Sequence, residues 1–260
     1  MAVSSPLLRL AAAALVGAVV AVPAAAEPRL TVEGTEFVLE TPDGRVLRSR
    51  DLVGATLTLR MEGRDMDVTI AAAEEDREAN GGRVLLHRFL LVDEAGNRSD
   101  LCTPDAAGRS LGFPLPDGEG GIQLTCTSGA IGKCVRWGYR FWEERPGGPP
   151  LRAMHRACVH LARADYGGDG RPATRPGVTI HICDRAGIRP CRDDAPMTFE
   201  AAWGAEGAIC VAHSRVPDFV SLEQLARLYP RLRDRIGAGA CTQSAAWANP
   251  LALLFSRSGE

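Results

Sequence analysis

The residues with chemistry to offer are eight cysteines, five histidines and a knot of acids and glycines at 163–170. The cysteines are Cys102, Cys126, Cys134, Cys158, Cys183, Cys191, Cys210 and Cys241. An even set of this size reads, in a chain that leaves the cytoplasm, as a disulfide framework, here four bridges. Sequence alone leaves roughly a hundred pairings open. Cys126–Cys134 and Cys183–Cys191 are the candidate short-loop bridges, and Cys210–Cys241 a longer one. No Cys-x-x-Cys occurs, so a thioredoxin-like redox signature is lacking.

The knot reads Arg163, Ala164, Asp165, Tyr166, Gly167, Gly168, Asp169, Gly170. Asp165, Asp169 and Gly170 fit positions one, five and six of an EF-hand-like frame. Gly167 then stands at position three, and Pro176 at position twelve where a bidentate glutamate is needed. The stretch reads instead as a helix stop whose aspartates accept turn amides. His155 and Cys158 are one helical turn apart, and His181 and Cys183 share a strand face. A thiol committed to a disulfide cannot ligate zinc, however. No metal and no cofactor is expected. Metalloprotease, serine-hydrolase-elbow and P-loop patterns are all lacking. The enzymatic alternative is a hydrolase in which the fold brings Asp165 and Asp169 to one of His155, His181 or His213.

The elements that would position these residues begin after a candidate signal peptide over 1–26. Arg9 gives a thin positive start, 10–22 is an apolar run, and Pro23 with Ala24, Ala25 and Ala26 resembles a cleavage site. A cut after Ala26 leaves 234 of the 260 residues and no further membrane-spanning run. Net charge is −2, which argues against a nucleic-acid partner. Lys133 is the only lysine beside many arginines, an asymmetry that genomic base composition explains without a function.

Residues 27–116 carry one cysteine, at their end, and read as a β-rich part. Strands are predicted over 35–40, 52–60, 66–71, 83–92 and 110–115, with 71–79 a loop. A Gly- and Asp-rich linker is predicted at 116–121. Residues 122–260 read as a cysteine-rich α+β part, which together with the first part forms either two units or one compact domain. It holds a strand at 122–127, a short helix at 129–138 and an aromatic strand face from Trp137, Tyr139 and Phe141. A helix from Leu151 follows, with Leu151, Met154, Cys158 and Leu161 as its apolar stripe. Strands are predicted at 178–183, 197–203 and 207–213. A Ser221-capped helix broken by Pro230 and a last strand within 247–255 complete the chain. The fold class is α+β, built on the helix at about 151–165.

The run RADYGGDG, with CTSGAIGKCVRWGYRFW before it and EAAWGAEGAICV after it, resembles the ADYC-domain family across roughly 34–241. That resemblance implies an exported bacterial protein, periplasmic or extracellular, and brings no catalytic residues. The family is named for an Ala-Asp-Tyr-Cys tetrad, whose fourth position here is Gly167. The expected function is a non-enzymatic, disulfide-stabilised binding module whose partner is a protein or glycan of the cell envelope.

Overall fold

A computed structural model describes residues 27–61, 63–118, 120–192 and 197–259. The candidate signal peptide lies outside the described residues. No helix among those residues is long and apolar enough to cross a membrane.

Among the described residues, thirteen strands and four α-helices form an α+β fold of three sheets, in which every strand pair is antiparallel. The first sheet is β1 (Arg29–Glu33), β2 (Glu36–Glu40) and β3 (Val46–Arg48), in that order. The second runs β4 (Thr56–Met61), β5 (Arg64–Glu75), β6 (Leu85–Val92), β8 (Gly112–Pro116), β9 (Ile122–Cys126), with β7 (Arg98–Asp100) also on β6. Phe37, Leu52, Val68, Ile70 and Phe89 form the shared core of these two sheets.

Two sequence expectations change here. The stretch 71–79 reads as a loop because Ala and Glu are poor strand formers. Its first half is in fact strand, since β5 passes an irregularity between Ile70 and Ala72 and keeps pairing to Glu75 opposite Leu85. The glycines at 116–121 are a hairpin turn rather than a linker. Pro116 faces Ile122 across it, and the Asp117 carboxylate accepts the Gly121 amide at 2.8 Å.

α1 (Ala130–Arg136) leads into 137–142, which is irregular and not a strand; Gly138 turns it at φ +103°. Tyr139 is therefore buried while Phe141 and Trp142 meet edge to face at 5.0 Å, so the three alternate aromatics share no strand face. Arg140, almost wholly buried, donates to the carbonyls of Asn80, Gly81 and Gly82 at 2.6, 2.6 and 3.2 Å. It fastens the β5–β6 connection to the cysteine-rich part.

α2 (Leu151–Arg163) buries Leu151, Met154, Cys158 and Leu161, as its stripe requires, together with His155 and Ala157. The stripe packs on the third sheet, whose order is β10 (Ile180–Asp184), β13 (Leu254–Ser258), β11 (Thr198–Gly204), β12 (Gly207–Val211). The opposite face of that sheet is covered by Ala246 and Cys241. Ser221 caps α3 (Leu222–Leu228) with a full capping box, and Pro230 opens a separate 3-10 turn. Within 247–255 the chain first completes α4 (Gln243–Ala248), because Thr242 caps an alanine-rich run, and becomes strand only at Leu254.

All eight cysteines pair, as Cys102–Cys126, Cys134–Cys158, Cys183–Cys191 and Cys210–Cys241. The short Cys126–Cys134 bridge is corrected. Gly112 opposite Cys126 has no side chain, and a Cβ there would sit 2.9 Å from the Cys102 sulfur. Cys102 thus reaches Cys126, while Cys134 lies on the α1 side that faces α2. The mid-helix cysteine is tied to another helix, not to a strand. Each bridge is worth about 2–4 kcal/mol in a chain-entropy account. Peptide mapping by mass spectrometry without reduction is expected to find these four links, and a Cys126–Cys134 peptide would refute the assignment.

His87 is fully buried, stacked on Phe89 at 5.4 Å and edge-on to Phe37 at 5.6 Å. Neither ring nitrogen has a hydrogen-bond partner. Burial lowers its pKa from 6.5 to about 4, and the Gly112 backbone opposes this without a well-formed bond. The neutral ring is favoured in the fold, so the unfolded chain binds the extra proton first as pH falls. This stability is complete above pH 6.5 and is lost towards pH 4, at a cost of up to roughly 3 kcal/mol. Urea unfolding at pH 7 and pH 4.5 should show that loss, and His87→Phe should reduce it; equal losses in both proteins would exclude His87 as the source.

Candidate functional site

The 163–170 knot is built by the end of α2. Ala164 takes the left-handed conformation at φ 49°, the one non-glycine residue among those described to do so. Its amide bonds Leu161 O at 3.1 Å, and that of Asp165 bonds His160 O at 2.9 Å. The chain then reverses through Gly168 and Gly170, both at positive φ. Arg163 donates to Gly170 O at 2.6 Å and closes the loop from outside.

Asp165 is 1 % exposed. One carboxylate oxygen accepts the amides of Gly168 (2.9 Å) and Asp169 (3.2 Å), and the other accepts that of Gly170 (2.9 Å). His160 Nδ1 lies 3.0 Å from this second oxygen, with Nε2 3.2 Å from Ala205 O. The aspartate organises the turn. Its lone pairs are occupied, which leaves little room for a metal or for general-base work. Asp169 faces outward and accepts Tyr229 Oη at 3.1 Å.

Tyr166 turns inward and stacks on Trp203 at 5.2 Å. Its hydroxyl donates to Glu200 at 3.0 Å and accepts the Arg215 amide at 2.8 Å. The Arg215 guanidinium donates twice to the same glutamate at 3.1 Å. Burial, followed by the charge of Glu200, raises the Tyr166 pKa far above the usual phenol range. It is a hydrogen-bond post, not a nucleophile. Neither partner is among the candidate site residues that the sequence offers. Glu200 carried a signal, a lone carboxylate inside the apolar strand FEAAW; Arg215 carried none.

The histidines do not assemble around Asp165 as the hydrolase alternative requires. His155 Nδ1 is 2.8 Å from Tyr139 O, with its pKa lowered first by burial. His213 is bonded to Ser258 at 3.0 Å, and His181 belongs to β10. The histidine that does reach Asp165 is His160. Among the described residues, no group of three or more His, Cys, Asp or Glu side chains could hold a metal ion.

In front of the Tyr166–Glu200–Arg215 network lies a cleft of about 730 Å³. Arg215 and Ala162 form its back, Lys133 and Trp137 come from the α1 side, and Arg175 and Ile180 from the segment entering β10. The knot does not open into this cleft; it holds the wall behind it.

Gly167 fits for a steric reason. A Cβ there would lie 2.2 Å from Tyr229 Cζ, so the tyrosine ring occupies the place of a side chain at this position. At Gly168 the obstacle is backbone, with Glu206 O only 2.3 Å away.

Residues 49–217 match the family model of the ADYC domain, a narrower span than the 34–241 over which the sequence resembles it. No curated protein and no solved structure matches the chain.

The two glycines should respond differently to substitution. Gly167→Ala is expected to cost about 1–3 kcal/mol by overpacking, and most of that cost should vanish in a Tyr229→Ala background. Gly168→Ala should cost at least as much with no such rescue, because its strain is in the backbone. Chemical denaturation of wild type, G167A, G168A, Y229A and the two double variants measures both couplings; additive effects of G167A and Y229A would refute the steric account.

Proposed function

This chain belongs to the ADYC-domain family, and we propose that it acts outside the cytoplasm as a non-enzymatic, disulfide-stabilised binding module of the cell envelope or secreted fraction. The observation that carries the reading is the commitment of the motif to structure. Asp165 accepts three backbone amides, and Tyr166 is a buried bond between Glu200 and the Arg215 backbone. Neither faces an open cleft with a free proton-transfer partner, which supports binding over hydrolysis.

Four disulfides fit a non-cytoplasmic protein. The apolar run at 10–22 supports export through a cleaved leader. The binding surface is the cleft, since its walls come from separate elements fixed by Cys134–Cys158 and the buried Glu200–Arg215 pair.

Two measurements test this. Fractionation of cells producing the full chain should find it outside the cytoplasm, shortened after Ala26 and fully oxidised; an intact, reduced chain in the cytoplasm overturns export. The pure protein should leave ester, amide and glycoside reporters unhydrolysed. Turnover lost in Asp165→Asn or His160→Gln, with the fold intact by circular dichroism, overturns the non-enzymatic reading.

A further inference from the structure

We propose that the cleft between α1 and the segment entering β10 binds an acidic saccharide, through carboxylates held by Lys133 and Arg175 and a sugar ring resting on Trp137. This deepens the binding-module reading and rests on it.

The charges lining the cleft are four, and two of them are already neutralised. Asp105 accepts the amides of Ala107 and Arg109 at 2.9 and 3.0 Å and the Thr127 hydroxyl at 3.1 Å, with the Arg109 guanidinium 3.5 Å away. Arg215 is paired with buried Glu200. Lys133 and Arg175 are exposed, and neither forms an ion pair or hydrogen bond through its side chain among the described residues. Two unmatched cations on separate elements, facing one cleft in a chain of net charge −2, make a local anion preference that the whole molecule does not have.

The remaining lining selects among anions. Trp137 is half-buried with Arg189 over its ring at 5.8 Å, which fixes the indole as a plate at the cleft wall. The hydroxyls of Thr103 and Ser128 stand 3.1 Å apart at the rim, and Thr174 adds a third. Aromatic plate, hydroxyls and spaced cations match a chain of sugar rings carrying carboxylates. A single inorganic phosphate would leave most of the 730 Å³ unfilled. An acidic peptide offers the carboxylates without the repeated hydroxyls, and serves as the control.

The chain provides its own probe, since Lys133 carries its only ε-amine. Titration calorimetry of the full oxidised protein with tetragalacturonate should give saturable heat that weakens with salt, and maltotetraose should give none. Tetragalacturonate should also protect Lys133 from acetylation, read by peptide mass spectrometry. Lys133→Gln and Arg175→Gln are surface changes, and each should weaken binding about tenfold, the loss of one charge-assisted contact.

Binding unchanged in the double variant, or no heat and no protection, overturns the assignment. Hexaglutamate bound in preference to tetragalacturonate overturns the saccharide while leaving the binding module standing. Cleavage of the saccharide by the protein would instead overturn the non-enzymatic reading.

Discussion

A glutamate carboxylate with no exposure to water is tolerable only when its partners are built into the fold, and Glu200 has two. Arg215 arrives from the segment after β12, and Tyr166 from the turn that stops α2. Removing one member of such a buried pair typically costs about 3–5 kcal/mol, because the other is left uncompensated. Helix, sheet and the following segment are thereby held in one arrangement. The Ala164 backbone, the Asp165 turn and the stacking of Tyr166 on Trp203 all serve to bring that phenol to that carboxylate. Arg231 reinforces the turn by donating to the carbonyls of Tyr166, Gly167 and Glu206.

The local patterns were the most legible part of the sequence. The α2 stripe, the Ser221 cap, the break at Pro230 and the Thr198–Val211 hairpin all follow from spacing and capping rules that act within a few residues. What escaped depends on partners distant in sequence. The β5 extension needs β6; the pairing of Cys126 needs the empty side of Gly112; the shape of 137–142 needs the carbonyls that Arg140 grips. The periodicity that suggested an aromatic strand face holds only for an extended chain, and Gly138 prevents one.

At the 163–170 knot, the missing EF-hand ligands already favour a helix stop in the sequence, and the three amides on Asp165 are what such a stop needs. Asp, Tyr and Gly clustered in a turn look alike whether they bind a ligand or hold a helix end. The two differ in partners: the Asp165 lone pairs are filled by turn amides and the Tyr166 hydroxyl by Glu200 and the Arg215 amide, all set by tertiary structure. Lys133 illustrates the opposite case. Its rarity in the sequence says nothing alone, and gains meaning only when Arg175 is found across the same cleft.

The place of β13 has a consequence for how the molecule assembles. The strand nearest the end of the described chain lies in the interior of its sheet, between β10 and β11. β10 and β11 follow each other in sequence, yet among the described residues each is laddered to Leu254–Ser258 and not to the other. Until those residues are available, the β11–β12 hairpin keeps an open edge and the α2 stripe lacks part of its floor. Contacts of such long sequence separation are slow to form. Wherever the chain folds, the first two sheets can become ordered while the third waits for its keystone, leaving unpaired strand edges exposed to other chains in the interval.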